Sequence, residues 1–361
     1  MKKEKNGFIE LCRFLFCGVI FLHHSGFVGN SSTHYRFPAG FLAVEFFFLL
    51  SGCFAMKHVM EEKKVTENKI ENKMAYSVGY TVAKLKRIFP YAAFGTILAY
   101  VWKWYNCAAG TGLKDRFWGI WNLPIELCFL PMTGIMPVDL GNYLNAPLWY
   151  LSVMLITLPI IIFMALKAKD LFQSFLVWIL PFLINGYLLQ KIGSVGTWGQ
   201  FVGFTYSGVI RGFAELILGC LVYLVAEKII IWCDQHAEKR EFVLAPVLTV
   251  VELGGYLFLL YLCTISTNGY VYEAGILWLA AALAISVSGK SLTGYVKGRF
   301  FDFLGKISVP IYCMHWPMYQ IVKKYAGTLS YSNKVYITFG VCILVSIILV
   351  EVIELMQRRY K

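Results

Sequence analysis

The sequence is poor in charge: only 15% of its 361 residues are Asp, Glu, Lys or Arg, whereas 58% are hydrophobic. Soluble domains usually carry about 25% charged residues. This shortage argues against an ordinary soluble enzyme, because so few charges do not cover the surface of a chain of this length. A lipid bilayer is therefore the expected solvent for most of the chain, and membrane lipid is its first expected partner.

Several familiar site patterns are also missing. No Gly-rich segment carries the lysine of a phosphate-binding loop, and no two ligand pairs have zinc spacing, so we expect neither such a nucleotide site nor a bound metal. No Ser/Pro/Gly-rich linker divides the chain, which predicts one membrane domain over residues 1–361. Most of the ten cysteines lie in apolar runs, so we expect no disulfide framework.

Long apolar runs are what the sequence has in abundance. A membrane-spanning helix needs about 20 mostly apolar residues, since each residue rises ~1.5 Å through ~30 Å of hydrocarbon. The runs predict an all-α polytopic bundle of about ten transmembrane helices. The predicted spans are 8–28, 39–57, 85–105, 147–166, 171–190, 207–227, 243–263, 271–289, 303–322 and 334–355.

Two further features concern the ends of these spans. The formal net charge is +12 at pH 7, and most of the 33 lysines and arginines lie in alternate loops and at the two termini. By the positive-inside rule this predicts that both termini are cytoplasmic, and it argues against a nucleic-acid partner. The outer loop 106–146 is aromatic and rich in Pro and Gly, so we expect it to cover a site.

Ionisable residues inside the spans are the strongest functional signal, since each is costly in lipid unless it is paired or faces a cavity. Arg13 and His24 are eleven residues apart, which places both on one face of the first helix, about 16 Å apart along its axis. His23 is turned about 80° away, so His24 is the preferred catalytic candidate. The alternative is that Arg13 and His24 only reach the two membrane interfaces.

The second span carries Glu45 among large apolar side chains, where a lone carboxylate must be protonated or paired. His24 is the predicted partner, because a Glu–His pair orients an imidazole for proton transfer. Arg211 lies four residues before Glu215, so these two are predicted to pair on one helix face. In each case a purely structural pair is the competing interpretation.

The remaining candidates have simpler competing explanations. Lys84 and Arg87 suit an anion site, although ordinary positive-inside anchoring explains them equally well. Trp149 and Tyr150 are candidates for a substrate pocket or for an aromatic belt at the interface. His315 is a second buried imidazole, and most such histidines only satisfy hydrogen bonds in a core.

These residues occur in an ordered set that resembles the acyltransferase-3 family of integral membrane acyltransferases. The set consists of Arg13-x10-His24, Val44-Glu45-x-Phe47-Phe48-x-x-Ser51-Gly52, Lys84-x-x-Arg87 before Pro90, Pro147-x-Trp149-Tyr150-Leu151-Ser152, Arg211 before Gly219, and Gly305-Lys306-Ile307-Ser308-x-x-Ile311-Tyr312-x-x-His315. Two positions depart from the family: Lys84 replaces the usual arginine, and Cys53 stands where Phe often follows Ser-Gly.

The resemblance implies a membrane O-acyltransferase of a bacterial-type plasma membrane. It implies acyl-CoA, most often acetyl-CoA, as the cytoplasmic donor, and a hydroxyl of a cell-surface glycan or similar molecule as the acceptor. The implied roles are catalysis by His24 and Glu45, donor binding by Arg13, Lys84, Arg87 and Arg211, and a substrate pocket that includes Ser51, Trp149, Tyr150 and His315.

A transporter of a small polar solute is the alternative, because buried charges also mark transport paths. Transporters often contain internal repeats, and the sequence shows none. A receptor or scaffold would give no reason for Arg13 and His24 to share a helix face.

Overall fold

The computed structural model describes residues 5–28, 37–66, 70–106, 113–135, 143–236, 238 and 240–359. This part of the chain is helical almost throughout. Its long helices are α1 (Gly7–His24), α2 (Ala43–Thr66), α3 (Lys73–Asn106), α4 (Leu113–Leu127), α5 (Trp149–Lys167), α6 (Lys169–Ile192), α7 (Ser207–Gln235), α8 (Ala245–Cys263), α9 (Gly269–Ser288), α10 (Arg299–Tyr325) and α11 (Tyr331–Arg359). A short hairpin of two antiparallel two-residue strands, β1 (Phe201–Val202) and β2 (Thr205–Tyr206), lies between α6 and α7.

The predicted all-α polytopic bundle is confirmed. Within the described ranges, eight helices are long and apolar enough to cross a membrane: α1, α2, α5, α6, α7, α8, α9 and α11. The other two predicted spans, 85–105 and 303–322, lie in α3 and α10, which have 34 and 27 residues. Both are long enough, at about 50 and 40 Å, but their polar residues set them apart from the apolar eight.

The helix ends gather at two faces of the bundle. We call one of them the terminal face, because α1 begins and α11 ends there, and the opposite one the distal face. At the terminal face, the Gly7 N–H donates to the Val296 carbonyl (3.0 Å), and Lys306 binds Glu354 at 2.6 Å. At the distal face, the Ser25 hydroxyl lies 2.5 Å from the Tyr331 hydroxyl. The first and last described helices therefore begin and end at the same face, which the positive-inside rule predicts to be cytoplasmic.

The backbones of α2 and α7 are in direct contact because Gly52 and Gly219, which have no side chains, meet where the two helices cross. A Cβ added to Gly52 would lie 2.0 Å from the Leu216 carbonyl oxygen, and one added to Gly219 would lie 2.3 Å from that of Leu49. Both helices run from the distal to the terminal face. Glu45 and Arg211 precede their glycines by seven and eight residues, about two turns each, so the crossing brings their side chains to the same level.

Helix α10 contains Pro310 and Pro317, and the second proline creates a polar site inside the bundle. Proline has no N–H, so Pro317 leaves the Cys313 carbonyl without its helical donor. The Asn145 side-chain amide supplies the missing hydrogen bond at 2.7 Å. The loop before α5 is thereby tied to the centre of α10.

A buried carboxylate holds the same loop from the other side. Glu126, at the end of α4, accepts hydrogen bonds from the N–H groups of Leu144 (2.5 Å) and Asn145 (2.9 Å). Burial raises the pKa of the Glu126 carboxyl to about 7, although these two donors act in the opposite direction. Glu126 and the residues just before α5 are thus held together on the distal side of the bundle.

Candidate active site

Two histidines meet near the distal face. His24 ends α1 and His315 lies in α10, and the Nδ1 atom of His24 is 3.0 Å from the Nε2 atom of His315. His315 is 1% exposed, whereas His24 is half-buried. The neighbouring His23 instead places its Nδ1 atom 2.7 Å from the Phe37 carbonyl oxygen, so it belongs to the packing of the loop before α2.

The hydrogen bonds define which nitrogen of each ring carries the proton. A carbonyl oxygen only accepts, so His315 Nδ1 must donate to the Tyr312 carbonyl, at 2.6 Å. In the neutral ring, His315 Nε2 is then an acceptor, and His24 Nδ1 is its donor. This chain of two imidazoles leaves His24 Nε2 as the basic nitrogen, which is the form needed for a general base or a nucleophile.

The predicted pairing of Glu45 with His24 is wrong. Glu45 Oε1 accepts from the Arg211 guanidinium, and Glu45 Oε2 has no hydrogen-bond partner in the described part of the chain. The glycine crossing of α2 and α7 explains the change, because it brings the arginine directly against the carboxylate. His315, from α10, takes the place next to His24 that the sequence assigned to Glu45.

The predicted pairing of Arg211 with Glu215 is also wrong. Arg211 is 1% exposed, and its remaining donors bind the carbonyls of Phe41 (3.0 Å) and Gly196 (3.3 Å). Glu215 instead accepts from the Asn185 side-chain amide at 2.8 Å. The spacing within α7 permitted a pair, but a carboxylate on the adjoining helix lies closer to the guanidinium.

Two adjoining cavities lead from the terminal side toward the histidines. The entry cavity has a volume of about 660 Å³ and is lined by Phe54, His58, Tyr76, Gly79, Tyr80, Ala83, Lys84 and Arg87. The deep cavity, of about 190 Å³, shares Phe54 and Lys84 with it. The deep cavity also reaches Ile20, one turn before His24, and Tyr312, whose carbonyl holds His315.

Three of the four cations predicted to bind the donor lie along this path. Lys84 lines both cavities, Arg87 lines the entry cavity and Arg13 lines the deep one. Arg13 is held by Glu10, whose Oε2 atom is 2.8 Å away. Gly305 makes room for that carboxylate, since an added Cβ would lie 1.6 Å from Glu10 Oε2. Arg211 lines neither cavity.

Trp149 and Tyr150, predicted to line one pocket, lie on different sides of α5, because consecutive helical residues point about 100° apart. Tyr150 and Ser51 line the deep cavity. The Tyr150 hydroxyl donates to the Phe47 carbonyl (2.9 Å) and accepts from Ser51 (2.9 Å). The Trp149 ring instead stacks on Trp198, with 5.8 Å between ring centres, and lies under the Arg211 guanidinium.

The sequence did not single out several buried polar residues near the site. Glu126 lies within the outer loop 106–146, where only its position between two prolines marks it. Asn145 and Trp316 adjoin named motifs but show no pattern of their own. Asn185 and Glu273 form a partly buried hydrogen bond at 3.0 Å that joins α6 to α9, and only the fold reveals it.

The chain matches one known protein family along most of its length. The family model described as an acyltransferase domain, of the acyltransferase-3 type, matches residues 6–353 and therefore covers every element described above except the last six residues of α11. No curated protein and no solved structure gives a significant match to the chain.

Proposed function

The chain belongs to the acyltransferase-3 family of membrane acyltransferases, and from this premise we propose that it transfers an acetyl group from acetyl-CoA to a hydroxyl of a cell-surface glycan or similar acceptor. The observation that carries the proposal is the path of cavities from Lys84 and Arg87 to the residues that hold the His24–His315 pair. This path supports a charged donor that enters past the two cations and extends toward the half-buried His24.

The entry cavity suits the nucleotide end of the donor. Lys84 and Arg87 provide positive charge for phosphate groups, and the guanidinium offers paired N–H donors. The rings of His58 and Tyr80 stack with 4.7 Å between their centres and form an aromatic wall for the adenine. In this proposal acetyl-CoA enters from the cytoplasm, which requires the terminal face to be the cytoplasmic one.

The narrow deep cavity suits the pantetheine arm. Arg13 stands near its cation-lined end and Ile20 near its far end, and His24 lies one turn beyond Ile20. Eleven residues of helix span about 16 Å, so the thioester is carried from the membrane edge toward the imidazole pair. Ser51 and Tyr150 line the route as polar contacts for the arm rather than as acceptor residues.

The basic nitrogen of His24 performs the chemistry. As general base, His24 Nε2 takes the proton of the acceptor hydroxyl while the hydroxyl oxygen attacks the thioester carbonyl. The C–S bond then breaks, and the imidazolium returns the proton to the departing CoA thiolate. His315 holds the ring in the required tautomer throughout, through its own hydrogen bond to Tyr312.

A second route uses the same nitrogen as a nucleophile. His24 Nε2 attacks the thioester, CoA leaves as the thiolate, and the Nδ1 proton passes to His315 Nε2. The acceptor hydroxyl oxygen then attacks the acyl carbonyl and loses its proton to solvent, the bond from the carbonyl carbon to His24 Nε2 breaks, and His315 Nε2 returns the proton to His24 Nδ1, so that both rings are neutral again. A burst of one CoA thiol released per protein in the absence of acceptor distinguishes this route from general base catalysis.

The pair of Glu45 and Arg211 has a positioning role in this proposal. Arg211 binds the carbonyls of Phe41 and Gly196 as well as Glu45, so it joins α2, α7 and the loop before α7. With its donors engaged by these groups, Arg211 is a poor phosphate ligand. It fixes the distal ends of the helices that surround the reaction site.

The test is mass spectrometry of surface glycans from cells that make the protein and from cells that make the His24→Ala variant. We expect a mass increase of one acetyl group on a defined sugar only with the unaltered protein. Identical glycans in both cells would reject the glycan acceptor. Counterflow of a labelled solute with no thioester cleavage would instead favour the transporter.

A further inference from the structure

Three buried polar atoms near the distal face have no hydrogen-bond partner among the described residues. They are Trp316 Nε1, the Tyr143 hydroxyl and Asn145 Oδ1, on side chains that are 6%, 4% and 1% exposed. Buried polar atoms are nearly always satisfied, so a group of orphaned ones needs an explanation. Trp316 Nε1 and the Tyr143 hydroxyl can donate a hydrogen bond, and Asn145 Oδ1 can accept one.

The three side chains belong to one patch. Tyr143 and Trp316 form a small apolar cluster against which Trp198 packs, and the Tyr143 ring meets Trp198 edge-on with 5.7 Å between ring centres. Asn145 binds the Cys313 carbonyl of the same helix, α10, that carries Trp316. We call Tyr143, Asn145, Trp198 and Trp316 the distal aromatic patch.

This patch adjoins the reacting imidazole. The Trp316 ring lies edge-on to the His24 ring, with 5.5 Å between centres and an angle of 89°. None of the four residues lines the entry cavity or the deep cavity. His24 therefore stands between the donor path and a separate set of unused polar groups.

The composition of the patch indicates the class of ligand. It offers aromatic rings, an indole N–H, a phenolic hydroxyl and an amide oxygen, with no charged side chain among its members. Aromatic rings pack on the C–H groups of a sugar ring, and the three polar atoms match hydroxyls, which both donate and accept. A charged acceptor group would find no counter-charge in these four residues.

We propose that the distal aromatic patch is the acceptor subsite and that it binds a neutral pyranose ring with one hydroxyl directed at His24. This inference rests on the proposed function, because it requires His24 to be the acyl-transferring residue. It differs from the sequence-based expectation, which placed the substrate pocket on Ser51, Trp149, Tyr150 and His315; of these four, Ser51 and Tyr150 line the donor path instead.

The test uses the full chain in vesicles, acetyl-CoA as donor and a panel of neutral methyl glycosides of glucose, galactose, mannose and N-acetylglucosamine as acceptors. Trp316→Phe and Tyr143→Phe each remove one donor and keep a ring. Losing one hydrogen bond should raise the KM for the accepted glycoside about three- to tenfold. The KM for acetyl-CoA should change much less.

Trp121→Phe and Tyr336→Phe are the matched controls, since their side chains are 72% and 67% exposed. We expect both to leave the two KM values unchanged. Equal increases in both KM values for Trp316→Phe and Tyr143→Phe, or no increase in either, would overturn the subsite.

The two proposals fail in different ways. If the unaltered chain cleaves acetyl-CoA but acetylates no member of the panel, the neutral-pyranose assignment is wrong and the acyltransferase activity stands. If it cleaves no acetyl-CoA under any condition, the donor and the proposed function fail as well.

Discussion

His315 Nε2 lies 3.0 Å from His24 Nδ1, and His315 Nδ1 is itself held by the Tyr312 carbonyl. The family motif that ends in His315 and the motif that ends in His24 are therefore joined by one hydrogen bond between α10 and α1. Through this contact His315 fixes the tautomer of the ring that we propose to react.

His315→Gln should keep more activity than His315→Leu. A glutamine side chain offers an oxygen that accepts from His24 Nδ1, whereas leucine leaves that N–H buried and unpaired. We expect His315→Leu to lower kcat by more than about tenfold, because tautomer control contributes to general base catalysis. Steady-state kinetics in vesicles measure this, and equal activity of the two variants would show that His315 only fills space.

Lys84→Gln and Arg87→Gln should weaken donor binding, while Lys86→Gln should not. Lys84 and Arg87 line the entry cavity. Lys86 lies between them in the sequence, but it is exposed and lines neither cavity. A charge-assisted hydrogen bond contributes about 1.5–3 kcal/mol, so the KM for acetyl-CoA should rise about tenfold or more. A comparable rise in Lys86→Gln would mean that only the general positive charge of this segment matters.

Arg211→Met should destabilise the bundle more than the double variant Arg211→Met/Glu45→Gln. The single change leaves a carboxylate buried at 0% exposure without its partner, which typically costs about 3–5 kcal/mol. The double change removes both charges and should recover part of that loss. Thermal unfolding in detergent compares the two, and a double variant that is less stable than the single one would contradict the pairing.

Gly52→Ala should separate α2 from α7, while Gly18→Ala should be harmless. A Cβ at residue 52 would lie 2.0 Å from the Leu216 carbonyl oxygen, whereas one at residue 18 meets nothing within 4 Å. Overpacking of this kind costs about 1–3 kcal/mol. The measurement is again the unfolding temperature, and equal values for the two alanine variants would disprove the close crossing.

Glu126→Gln should loosen the loop that carries Asn145. The amide keeps one acceptor oxygen and replaces the other with an N–H₂ group, so one of the two backbone donors loses its partner. Amide hydrogen exchange of the peptide that includes Leu144 and Asn145 should speed up, about tenfold for each 1.4 kcal/mol lost. Glu351→Gln, at an exposed position of α11, is the control and should exchange at the original rate.

The sequence predicted the membrane bundle well because apolar run length is a local property. It also placed Arg13 and His24 on one helix face, and the deep cavity runs along α1 from Arg13 to Ile20, one turn short of His24. The partners of the buried charges were predicted less well. Pairing depends on which helices touch, and the contact of Gly52 with Gly219 joins residues far apart in the chain.

The predicted pairs failed for a common reason. Spacing within one helix suggested Arg211 with Glu215, and the succession of the first two helices in the sequence suggested Glu45 with His24. Each residue instead pairs with a residue from a different helix that close packing brings nearer. No sequence pattern indicated that the Tyr143 hydroxyl and Trp316 Nε1 lack hydrogen-bond partners, because whether a polar atom is buried and unpaired depends on the folded structure.

The most direct measurement is acetyl-CoA cleavage by His24→Ala in reconstituted vesicles, beside His236→Ala, which changes an exposed histidine at the end of α7. Loss of a general base lowers rates by about 10²–10⁴-fold, so we predict that His24→Ala loses activity by that factor while His236→Ala keeps it. A folded His24→Ala protein that cleaves acetyl-CoA and acetylates its acceptor at the original rate would contradict the account.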